Sequence, residues 1–357
     1  MKCFPRLRRG AAALAWIGLA VGAGLPGPAG AASATGPASA AKATGPTGVA
    51  KATGAAGTAA PPATPAAEPE SCATVRLASP GWADIDATNA LLTVVLKALG
   101  YRPTVQILSV PMTYQGLRGA RLDAFLGNWM PAQRELIEPL LADGGIERIA
   151  RNLEQARFTL AVFDYSASAG VRGFDDLAAH ADDFGRRIYG IEAGAPANES
   201  IKRMLADPAR GLAGWRLVES SDAGLLAQMG HEFRARRPMV FLAWEPHVMN
   251  TRYPISYLKG GDAWFGPGGG LAEVHTVTRR GYRTQCPNVG RLLGQLRFSV
   301  ALENELIGQV IDKRLPPEEA ARRVLAREGA LAGGWLAGVS ARDGGDAKAK
   351  LAAALAN

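Results

Sequence analysis

Residues 74–109 read TVRLASPGWADIDATNALLTVVLKALGYRPTVQILS. The opening TVRLAS (74–79) has the apolar pattern of a strand. TNALLTVVLKALG (88–100) predicts a helix with a Thr cap and a terminal Gly, and TVQILS (104–109) predicts a second strand. Outward from this strand–helix–strand unit the pattern repeats. Strands are expected at 122–127, 158–163, 186–191, 215–220 and 238–244. A helix is expected to start at Pro111, with others over 199–205, 222–234, 289–296, 300–312, 317–327 and 347–355. Such alternation predicts an α/β fold with mainly parallel sheets. In sheets of that kind ligands bind beyond the carboxyl ends of the strands.

Three tryptophans fall at such ends: Trp82 in GWAD, Trp129 in GNWMP and Trp244 in AWEPH. Each sits among Gly, Pro, Asn, Asp or Glu, so each is expected on a loop. A site built from aromatic faces attracts cations, at roughly 0.5–2 kcal/mol per face when desolvated. Asp84, two residues after Trp82, is placed to add Coulombic attraction at the rim. A single Trp is more often a core residue, the role assigned to Trp215, Trp264 and Trp335.

The chain has 357 residues and is 48% hydrophobic, enough for two domains or one domain with two lobes. Lys2, Arg6, Arg8 and Arg9 precede an apolar stretch ending near Leu25 and then small residues, the pattern of a secretory signal over residues 1–31. The alternative, a membrane anchor, is disfavoured by the shortness and Gly content of that stretch. The formal charge is +8, and four of those positives lie in the signal, which leaves +4. That surplus does not suggest nucleic-acid binding. Residues 32–70 are rich in Ala, Gly, Thr and Pro, with AKATG at Ala41 and again at Ala50. They are read as a disordered tether. Cys72 and Cys286 remain after the signal and are expected to form a disulfide in an oxidising compartment, the alternative being two buried thiols.

Catalytic signatures are missing. There is no G-x-S-x-G, Walker A, CxxC or HExxH, and the four histidines are scattered, so neither a metal nor a cofactor is expected. His247 in WEPH reads as structural, and GPGGGL (266–271) as a flexible turn.

Several longer stretches resemble the periplasmic choline-binding proteins of ABC importers, within the glycine betaine/choline substrate-binding group. They are GWADIDATNALLTVVLKALGYRPTVQILSVPMTYQGL from Gly81, DAFLGNWMP from Asp123, FTLAV from Phe158, YGIE from Tyr189, LVESS from Leu217, VFLAWEPH from Val240 and CPNVGRLL from Cys286. The resemblance implies a bilobed periplasmic binding protein fold of type II topology, with two α/β lobes joined by a hinge. Lobe 1 would take residues 72–154 and 256–357, and lobe 2 residues 155–255. It also implies that Trp82, Trp129 and Trp244 wall an aromatic box, that Asp84 is the acid beside the ammonium, and that Cys72–Cys286 is the family's disulfide. Phe158 stands where choline-specific relatives carry Tyr. Ala195 stands where they carry an Asn that meets the ligand hydroxyl, with Asn198 as a substitute. Choline is thus the first expected ligand, acetylcholine or another hydroxyl-lacking quaternary amine the second, and glycine betaine the third. A secreted enzyme is the competing class. The implied partners are a permease and an ATPase in the inner membrane, serving a monomer free in the periplasm.

Overall fold

The computed structural model describes residues 68–356. The expected signal and most of the expected tether lie outside the described residues. The tether was expected to reach Glu70, but the fold has begun by Glu68. Its buried carboxylate accepts from the Tyr101 hydroxyl at 2.6 Å and from the Asn288 backbone N–H at 2.6 Å.

Among the described residues, nine strands form one sheet: β1 (Thr74–Ser79), β2 (Arg102–Ile107), β3 (Ala124–Met130), β4 (Ile146–Phe163), β5 (Arg187–Tyr189), β6 (Arg216–Val218), β7 (Val240–Glu245), β8 (Ile255–Tyr257) and β9 (Leu271–Arg279). Their order is β2-β1-β3-β9-β4-β7-β5-β6, with β8 also on β4. The same module occurs twice in this order. In the first half β1 pairs parallel with β2 and β3, and β3 pairs antiparallel with β9. In the second half β5 pairs parallel with β6 and β7, and β7 pairs antiparallel with β4. The sheet is therefore mixed rather than mainly parallel, because the strands that carry the chain between halves run against the others.

Strand β4 is the outward crossing. Its first part, from Ile146, pairs with β9, and Arg157–Val162 pair with β7. Strand β9 is the return. Residues 256–270, expected to re-enter the first lobe, stay with the second half: β8 pairs with β4, and the Phe174 N–H donates to the Lys259 carbonyl at 2.9 Å.

Among the described residues, nine longer helices cover the sheet: α1 (Ala83–Ala98), α2 (Val110–Arg118), α3 (Arg134–Ala142), α4 (Pro196–Ala206), α5 (Asp222–Arg234), α6 (Pro287–Gln295), α7 (Val300–Ile311), α8 (Pro317–Arg327) and α9 (Ala347–Ala356). Helix α1 starts five residues before the expected Thr88 cap. The Thr88 hydroxyl donates instead to the Ile85 carbonyl at 3.2 Å inside the helix. Its first turn carries Asp84 and Asp86, charges that suit a helix N-terminus. Leu91, Leu92, Val95 and Leu96 bury its core face. Cys72 and Cys286 form a disulfide with Cα atoms 5.6 Å apart. Trp215 and Trp335 are core residues, whereas Trp264 is half-buried, stacked on Phe174 under Arg210.

Candidate ligand-binding site

The strand ends of the two halves face each other across a small cavity of about 40 Å³. It is lined by Trp82, Trp129, Ala132 and Gln133 from the first half and by Phe158, Ile191, Pro196, Ala197, Leu242 and Trp244 from the second. Local backbone sets each wall. Gly81, at φ +84°, turns the chain out of β1, so Trp82 becomes the residue before α1. Trp129 and Trp244 are not on loops; they are the penultimate residues of β3 and β7. Phe158 lies directly opposite Trp244 in the β4–β7 ladder, so both rings leave the same face of the sheet. Leu242, two residues before Trp244, shares that face. The Trp129 and Phe158 rings meet edge to face with centroids 6.5 Å apart.

The backing of each wall is specific. Trp129 Nε1 donates to Asp84 Oδ2 at 3.0 Å, and Trp82 Nε1 donates to both carboxylate oxygens of Glu192 at 3.0 and 3.1 Å. Phe265 packs on Phe158 with centroids 5.7 Å apart. The run 266–271 is no loose turn. Gly270, at φ +81°, lies so close that a Cβ there would come within 2.2 Å of the Phe158 carbonyl oxygen. Gln133 also has its side chain committed: it donates to the Gly127 carbonyl at 2.8 Å and accepts from the Tyr114 hydroxyl. The cavity therefore offers ring faces and aliphatic surface, with no Lys or Arg in its lining.

Four expected residues, Trp82, Trp129, Phe158 and Trp244, come together here. Asp84 and Asn198 do not line the cavity. Asp84 stands behind Trp129 because helix α1 already includes it and turns it inward. It is buried, and its Oδ1 has no hydrogen-bond partner. Burial first, and the neighbouring Asp222 carboxylate second, push its carboxyl up to about 7, against the Trp129 N–H that favours the charged form. The Asn198 side chain is committed to the backbone. Its Oδ1 accepts from the Ile191 N–H at 3.1 Å, and its Nδ2 donates to the Ile191 and Glu192 carbonyls at 2.9 and 3.0 Å. It clamps the loop after β5 instead.

Sequence reasoning missed Glu192 and Asp222, and took His247 only as structural. Asp222 accepts from His247 Nε2 at 2.9 Å and from the Ala83 backbone N–H at 2.8 Å. Glu192 was findable: it follows β5 as Trp82 follows β1, an ionisable side chain at the ligand edge of a strand. The His247 imidazole ring packs on Trp244 with centroids 4.6 Å apart.

Residues 73–327 match the family described as the substrate binding domain of ABC-type glycine betaine transport system. The chain belongs to that family. A solved ABC-transporter choline binding protein in complex with choline is 45% identical, with 81% of this chain and 100% of that one covered and a TM-score of 0.79. One in an unliganded semi-closed conformation is also 45% identical over the same shares, with a TM-score of 0.74. The glycine betaine/carnitine transport binding protein GbuC of Listeria monocytogenes is 26% identical over 45% of this chain, a match that spans 52% of that protein. The fold is the bilobed type II binding-protein fold, and the chain is a substrate-binding component of a transport system, not an enzyme.

Proposed function

We propose that the protein captures choline, or a closely related quaternary ammonium compound, in the aromatic cavity and delivers it to an ABC importer. The carrying observation is the cavity wall itself: Trp82, Trp129, Phe158 and Trp244 around an otherwise apolar space. A quaternary ammonium has no N–H to donate, so ring faces are its natural partners. The Asp84 carboxylate behind Trp129 adds negative potential at the box. Glycine betaine is disfavoured because its carboxylate would find no Lys or Arg among the lining residues and would face Asp84. Acetylcholine or another amine without a hydroxyl is the second reading, supported by Ala195, by the committed Asn198 amide and by the Phe158 ring, which lacks a hydroxyl.

The signal-like N-terminus supports export to a periplasm, where a monomer would dock on a permease coupled to an ATPase. The lobes would hinge where β4 and β9 cross, near Ala156–Arg157 and Leu271–Ala272. Calorimetry against choline, acetylcholine, glycine betaine and carnitine tests the reading. Micromolar or tighter binding of choline is expected, with betaine weaker, and no heat from any quaternary amine would sink it.

A further inference from the structure

The two halves meet through more than the cavity. Trp82 and Ala83 follow β1 in the first half, whereas Glu192 follows β5 and Asp222 opens α5 in the second. Both Glu192 oxygens lie within reach of the Trp82 indole N–H, at 3.0 and 3.1 Å. Asp222 Oδ2 accepts from the N–H of Ala83, the first residue of α1, at 2.8 Å. Helix α1 has no side-chain cap of its own, so its exposed N–H is satisfied from the opposite half. Asp222 is held for this task. His247 Nδ1 accepts from the Met249 N–H at 3.1 Å, which leaves Nε2 to carry the proton and donate to Asp222 Oδ1. His247 is fully buried against Trp244. Neither Glu192 nor Asp222 lines the cavity.

We propose that Glu192 and Asp222 form a cross-cleft latch, two carboxylates of one lobe that grip the Trp82 indole and the α1 N-terminus of the other and so set how long the closed lobes hold a ligand. They are positioning residues: they act on the box through Trp82 and, by way of His247, through Trp244. The latch also bears on ligand choice. Burial first, and the Asp222 carboxylate after it, raise Asp84, Asp86 and Glu192 above the ordinary carboxylate range, and closing brings Asp222 up to Asp84 and Asp86 on α1. A ligand with net positive charge relieves that crowding, and a zwitterion does so less. This selectivity arm rests on the quaternary-ammonium reading; the latch itself does not.

The test uses the full chain with spin labels at two exposed sites, Arg121→Cys in the first half and Asp182→Cys in the second. Pulsed dipolar spectroscopy without ligand is expected to give a short inter-lobe distance in the parent. Glu192→Ala and Asp222→Asn should lengthen it. Glu192→Gln should restore it, because the amide carbonyl still accepts from Trp82. Glu192 lies on a part-exposed loop, so its variants keep the test alive if Asp222→Asn does not fold. The same distance in parent and Glu192→Ala overturns the latch, whatever the chain binds. Stopped-flow measurements with choline then read the second arm. Dissociation from Glu192→Ala should be about tenfold faster with the association rate unchanged, as for loss of one charged hydrogen bond. Binding with an unchanged dissociation rate overturns the latch's hold on the ligand. Failure of the parent protein to bind choline sinks the ligand reading and leaves the distance result standing.

Discussion

At the residue scale, the proposed site sets an acid behind a ring. Asp84 touches no cavity surface, yet it accepts from the Trp129 indole N–H, and in the proposed box it would supply the negative charge. Trp129→Ala removes one wall and orphans Asp84; choline affinity is expected to fall at least about tenfold, measured by calorimetry on protein shown folded by its thermal melt. The raised carboxyl of Asp84 gives a pH dependence of definite sign. The folded, empty protein holds the Asp84 proton up to about pH 7, while the unfolded chain releases it near its ordinary value of 3.8. The folded state thus binds more protons across that window, so stability contributed at this position falls as pH rises from about 4 to 7. A bound cation favours the ionised form, so choline should bind more tightly as pH rises through 7. Asp222 and Asp86 oppose the ionisation of Asp84, while burial, and Asp84 after it, hold the nearby Glu303 carboxyl well above its ordinary range. Asp84→Asn should flatten both profiles and weaken choline more than betaine. Betaine losing more affinity than choline would place Asp84's charge away from the ammonium.

At the element scale, the glycine-rich run before β9 is a backing plate for the Phe158 wall. Gly270→Ala would need a left-handed backbone and a Cβ inside the Phe158 carbonyl. A loss of about 1–3 kcal/mol is expected in a urea melt, with weaker ligand binding. Its role was not legible in the sequence, because a run of glycines reads alike whether it flexes or lets backbones touch. Strand β1 and helices α5 and α8 were legible from periodicity and flanking residues. The early part of β4 was not, because Glu147, Arg148, Arg151 and Glu154 break its alternation and its pairing with β9 shifts register. The placement of Asp84 was lost for a related reason. ADIDA before Thr88 read as loop, although acids in a first turn are what a helix N-terminus favours. The cavity-lining Trp82, Trp129 and Trp244 were visible from their places at strand ends, whereas Phe158 was visible only through the resemblance.

At the scale of the whole molecule, two crossing strands and one disulfide tie together segments far apart in sequence. Cys72 and Cys286 are separated by 214 positions. Chain entropy assigns closure of such a loop about 5 kcal/mol. The Cys72→Ser, Cys286→Ser double variant should lose up to that amount in a denaturant melt, and an unchanged midpoint would show that native packing alone suffices. The same end of the domain carries Glu68, pinned between Tyr101 and Asn288. Strand β1 runs away from it for six residues before reaching Trp82's turn, a span of about 20 Å. Glu68 therefore marks the end of the domain opposite Trp82's turn. An affinity handle joined at that end would hold the protein at a point remote from the cavity, which makes it the end by which to immobilise the protein for reading quaternary amines from solution.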